Sequence, residues 1–116
     1  MIRFRKLAQV AAHAADDKKA DHVVILDISK ESDVADFVVI AGAESSAQMK
    51  AVRDSIKEAL EEKGVRPVHQ EGHSTDRWIA LDYGGVVIHI LLPRARDFYR
   101  LESLWEKAKL VKWNSK

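Results

Sequence analysis

The sequence predicts a single α/β (α+β) domain, built on a mixed sheet of about five strands flanked by helices. Three observations carry that prediction. The chain has 116 residues, the length of one domain. Apolar residues make up 47% and charged residues 32%, which is close to the globular average, so a core can be buried. Short β-branched runs alternate with segments of helical period, and such elements layer together because each strand must bury at least one apolar face.

The first 20 residues, MIRFRKLAQVAAHAADDKKA, carry Leu7, Val10, Ala11 and Ala14 at helical spacing and predict a helix with a narrow apolar stripe. HVVILDI (22–28) and DFVVIAG (36–42) read as strands separated by polar SKESDVA. Ser45 and Gln48 have the spacing of a capping box, and Met49, Val52, Ile56, Ala59 and Leu60 continue as a helical stripe that Gly64 ends. Pro67 argues against more helix, so RPVHQEG reads as a short peripheral strand. RWIALDY and VVIHILL form a hairpin about Gly84-Gly85. Pro93 opens a last helical stretch with Phe98, Leu101, Leu104 and Trp105 on its apolar side. The domain is expected to span residues 1–106, with 107–116 as a basic, loosely attached tail.

With 19 basic and 18 acidic residues the net charge is +1, so no strong independent binding of nucleic acid is expected. The absence of cysteine removes disulfides and thiolate metal sites and fits a reducing compartment, the cytoplasm being expected. The opening segment lacks the apolar stretch of a signal peptide or membrane span; a transit peptide is the alternative. His69 and His73 flank Glu71, but Gly72 and Pro67 oppose the helix that would align two metal-binding rings. Ser45 and Ser46 lack the glycines of a nucleophile elbow, and Gly42–Ser46 has neither a phosphate-loop lysine nor a neighbouring carboxylate pair. Asp82 and His89 have the chemistry of a base and its orienting partner but no nucleophile. No metal, cofactor or catalytic residue is therefore expected.

Around a Gly84-Gly85 turn, opposite residues sum to a constant, which places Ile79, Leu81, Val86, Ile88 and Ile90 on one face with Tyr83 at its end. The other face then carries Trp78, Ala80, Asp82, Val87, His89 and Leu91. Two arrangements fit that second face. Either a helix covers it, with His89 bonded to a backbone carbonyl and Trp78 filling core, or it stands open as a flat surface with a dip at Ala80.

DYGGVVIHI (82–90) followed by ARDFYRLESLW (95–105), together with the earlier block from Leu26 to Ile56, closely resembles the ribosomal silencing factors, or Iojap-like family. The resemblance implies a fold similar to that of nucleotidyltransferases, without known catalysis. It also implies binding to the large ribosomal subunit through its protein fourteen (uL14), which blocks joining of the small subunit and represses translation when nutrients are scarce. The positions it singles out are Trp78, Asp82, Tyr83, Gly84 and His89 in the hairpin and Phe98, Tyr99, Leu101, Leu104 and Trp105 in the last helical stretch. With Leu91 added from the second hairpin face, the residues expected to bind the partner are Trp78, Asp82, Tyr83, Gly84, His89, Leu91, Phe98 and Tyr99, in a patch centred on Trp78, Tyr83 and Leu91. Gly85 stands where many relatives have Asp. A nucleotidyltransferase-like enzyme and a homo-oligomeric module, such as a homodimer, are the rival classes.

Overall fold

The computed structural model describes residues 2–72, 77–100, 103, 105 and 107–113, with the backbone alone at 97–99. Its elements run α1 (Phe4–Asp17), β1 (Asp21–Asp27), β2 (Phe37–Gly42), α2 (Ser46–Glu62), β3 (His69–Glu71), β4 (Trp78–Asp82), β5 (Val86–Leu91), α3 (Pro93–Tyr99) and β6 (Lys109–Leu110). The strands form one mixed sheet in the order β3-β4-β5-β2-β1-β6. β2 and β5 pair in parallel, and the other neighbours pair antiparallel.

α1 and α2 lie on one face of this sheet. Leu7, Met49, Val52, Ile56 and Leu60 from the helices bury against Ile25, Val39, Ile79, Leu81, Val86, Ile88 and Ile90. The buried side of α1 is almost all alanine, with Ala8, Ala11, Ala12 and Ala15 fully enclosed, so α1 approaches α2 closely enough for the Ser55 hydroxyl to donate to the Ala14 carbonyl at 2.9 Å. On the opposite face a smaller cluster of Leu26, Ile28, Val38, Ile40 and Leu91 packs with Ala95 of α3, and Trp105 and Ala108 join it. That cover lies over the β1-β2-β5 half of the sheet.

The helix ends follow the capping residues. The Ser45 side chain accepts the Gln48 N–H at 3.1 Å, whereas the Gln48 side-chain Oε1 accepts the Glu44 N–H at 2.7 Å, one residue before the usual capping-box partner. The Gln48 amide nitrogen donates to the carbonyls of Lys18 and Lys19, tying the start of α2 to the end of α1. Gly64, at φ +80°, closes α2 with bonds from Gly64 N–H to Glu61 and from Val65 N–H to Leu60, the paired pattern of a Schellman motif. α1 ends in the same way, but its left-handed position is held by Lys19 at φ 66°. A side chain there costs about 1 kcal/mol. Lys19→Gly is therefore expected to raise unfolding stability by about that amount in urea titrations; a loss of stability would contradict the strain.

One expectation changes. The segment after Lys107 is not loosely attached over residues 109–113. Lys109 and Leu110 pair with Asp27 and Leu26 as a sixth strand, Val111 is buried and donates to the Ile25 carbonyl at 2.9 Å, and the Trp113 indole donates to the Val23 carbonyl at 3.1 Å. His13 meets Trp113 edge-on with ring centroids 5.4 Å apart, and Gln9 donates to the Lys112 carbonyl at 3.0 Å. The physical reason is the edge of β1, whose carbonyls need donors. Trp113→Ala is expected to cost about 1–2 kcal/mol of stability through one lost hydrogen bond and lost apolar burial, read by urea denaturation.

Candidate functional site

The β4–β5 hairpin has the register its residue types require. Trp78 faces Leu91, Ile79 faces Ile90, Ala80 faces His89, Leu81 faces Ile88, and Asp82 faces Val87. The Tyr83 N–H donates to the Val86 carbonyl across the turn at 2.8 Å. Of the two glycines only Gly84 takes a positive φ, +86°, which is the demand of a turn with glycine at its first central position. Gly85 serves otherwise: a Cβ there would strike the ring of Phe4, so α1 reaches the hairpin tip over a residue without a side chain. Asp82 accepts the Gly84 N–H at 2.8 Å and so holds the turn.

On the face away from α1 and α2, the Trp78 indole N–H donates to Nδ1 of His89 at 2.9 Å, with the rings tilted by 54° and their centroids 5.5 Å apart. An acceptor Nδ1 means a neutral imidazole with its proton on Nε2. Burial favours the same state and pulls the His89 pKa from 6.5 down to about 4. Ala80, directly opposite His89, leaves a concavity of about 310 Å³ lined by Glu71, Gly72, Trp78, Ala80 and His89. β3 brings Glu71 opposite Ala80 and His69 opposite Asp82, and His69 Nε2 lies 3.0 Å from a Glu71 carboxylate oxygen. Gly72 allows this approach, because at φ +86° a Cβ would run into the Trp78 carbonyl.

Neither arrangement foreseen for the second face holds over its whole width. α3 and Trp105 cover the β5-β2-β1 side, whereas Trp78, Ala80, Asp82 and His89 are only partly buried. His89 is bonded to an indole and not to a carbonyl. The expected centre of the patch is corrected at two of its three positions. Leu91 has 0% exposure beneath α3, and Tyr83 has 6% on the helix-covered face, so both support the hairpin from within. The Tyr83 hydroxyl is buried without a hydrogen-bond partner among the described residues, and burial pushes its pKa up to about 12. The side chains of Phe98 and Tyr99, and Leu101, Leu104 and His73 altogether, lie outside the described residues.

Glu71 is the residue at this site that the sequence did not assign. Its only signal there was proximity to two histidines; its place beside Ala80 depends on which strand β3 pairs with. No group of three or more metal-ligating side chains forms among the described residues. At the start of α2, the Gln48 and Glu44 N–H groups are already taken by Ser45 and Gln48 side chains, so Gly42–Ser46 is a capped helix start. No helix among the described residues is long and apolar enough to cross a membrane.

Comparison with known proteins places this geometry. The family described as "Ribosomal silencing factor during starvation" matches residues 2–116. A ribosomal silencing factor of Halalkalibacterium halodurans is 37% identical over 107 residues, covering 92% of each chain. One from Chromobacterium violaceum is 35% identical over 104 residues, covering 90% of this chain and 85% of the relative. A crystal structure of a protein from Chromobacterium violaceum superposes with a TM-score of 0.87 at 34% identity, covering 93% of this chain and 90% of that one. A chain matched along almost its whole length by the family and by relatives above 30% identity, on the same mixed sheet, belongs to the ribosomal silencing factor family.

Proposed function

We propose that the protein binds the large ribosomal subunit through ribosomal protein uL14, sterically blocks joining of the small subunit and so represses translation, for example under nutrient limitation. The observation that carries this reading is the uncovered half of the second sheet face, where Trp78, Ala80 and His89 surround a concavity with Glu71 on its rim. A strand pair backed by a helix-covered core presents these groups without further ordering, so little entropy is lost on docking. Trp is a frequent energetic anchor at interfaces, and the adjoining carboxylates of Glu71 and Asp82 suit basic side chains of the partner. Family membership supports the ribosome as that partner's source.

Sedimentation with separated subunits tests the reading. The protein is expected to travel with large subunits and not with small ones, and to lower the yield of joined ribosomes when it is added first. Equal binding to both subunits, or large-subunit binding with normal joining, would sink it.

A further inference from the structure

We propose that the β6 edge of the sheet, where Lys30, Lys107 and Lys109 surround a cleft of about 90 Å³, contacts the phosphate backbone of RNA. This rests on the large-subunit reading above and adds a second contact to the same docked molecule.

The chain as a whole is nearly neutral, at +1, yet three lysines meet in this one cleft. They come from the turn after β1 and from the segment entering β6, so pairing of β6 with β1 is what assembles them. Two carboxylates share the cleft, Asp27 and Glu31. Asp27 is already engaged: its Oδ1 accepts from the Ser29 N–H at 3.0 Å and the Ser29 hydroxyl at 2.7 Å, and its Oδ2 lies 3.7 Å from Arg5. Lys30, Lys107 and Lys109 belong to none of the close ion pairs among the described residues, although the Asp27 carboxyl, its pKa lowered first by the Ser29 hydrogen bonds, is lowered further by the charge of Lys109 opposite it. Three solvated ammonium groups about a cleft too small for a nucleobase fit a phosphate, which lysine recognises as a point charge. Such a contact positions the protein and reads no sequence.

The placement suits two simultaneous contacts. In the strand order, β4 and β6 are four spacings apart, about 19 Å at roughly 4.8 Å per strand. A molecule held on a ribosomal protein by Trp78 therefore carries this cleft about 19 Å to the side, far enough to meet a second component of the same subunit. Three phosphate contacts are too few for tight independent binding, in keeping with the small net charge.

Edge lysines also keep strands from pairing with other chains, a role that charges of either sign can fill, so charge reversal separates the two at Lys30 and Lys107, whereas Lys109 faces Asp27 across the pair and is only neutralised. The test uses the full chain, a Glu variant (Lys30→Glu, Lys107→Glu, Lys109→Gln) and the matching triple Lys→Gln variant, each confirmed as folded by circular dichroism. Large-subunit affinity is measured from low to physiological salt. Wild type is expected to lose affinity more steeply, its log–log salt slope exceeding that of either variant by about 2–3, with the Glu variant the weakest binder. Equal slopes and affinities for all three overturn the proposal. A second arm titrates a short RNA duplex into isotope-labelled protein at low salt. Amide shifts gathered at residues 29–31 and 107–110, and lost in the Glu variant, support it; no shifts, or shifts elsewhere, overturn it. If wild type fails to bind subunits, the large-subunit reading fails, and the duplex arm still decides the cleft.

Discussion

Trp78→Ala is expected to weaken binding to isolated large subunits by about thirtyfold, corresponding to roughly 2 kcal/mol for the loss of an aromatic anchor. The fold should persist, because the indole is only partly buried and lies at the margin of the smaller core cluster. The change removes both an apolar wall of the concavity and the N–H that His89 accepts. Trp78→Phe separates the two, keeping most of the wall while leaving Nδ1 of His89 without that donor, and is expected to lose less. Circular dichroism checks folding and co-sedimentation reads affinity. Wild-type binding by the Ala variant would remove this face from the docking surface.

The second large effect is on acid stability. His89 has a folded pKa of about 4 against 6.5 when free, so between those values the unfolded chain holds the extra proton and stability rises with pH. The contribution is fully present above about pH 6.5 and is lost as the pH falls towards 4, up to about 3 kcal/mol for a shift of this size. Protonation also turns Nδ1 into a donor facing the Trp78 N–H, which breaks the 2.9 Å bond. His89→Gln keeps an acceptor but does not titrate. Urea denaturation at pH 7 and pH 4 should show wild type losing more stability than the Gln variant. Equal losses would show that His89 is not held neutral by the fold.

Much of this architecture is legible in the residues because the relevant interactions are local. Ser45 with Gln48, Gly64, and Pro93 at the first turn of α3 mark helix ends by backbone chemistry alone. The alternation in RWIALDYGGVVIHILL sorts the hairpin into its two faces, and the observed register agrees pair by pair. Periodicity has a limit, however. It tells which side chains share a face but not what lies over that face, and for that reason Leu91 was expected at the surface although α3 encloses it. Tyr83, which spacing set at the end of the core face, was assigned to the surface through the family resemblance and lies under the α1–α2 layer.

The same distinction accounts for Lys109–Trp113. Its residues read as a solvated basic tail, with two lysines, a lone Leu-Val pair and no period long enough to signal a strand. It is ordered by something far away in sequence, the unpaired carbonyls of β1 at Val23 and Ile25. Fold class, the first eight elements and the hairpin faces thus follow from local spacing, since each depends on neighbours a few residues apart, while the family rests on the likeness of several separated blocks to known chains. The open half-face at Trp78, the recruitment of Glu71 and the lysine-lined edge follow from strand order, since only the packed sheet determines which distant segments meet and which carbonyls remain to be satisfied.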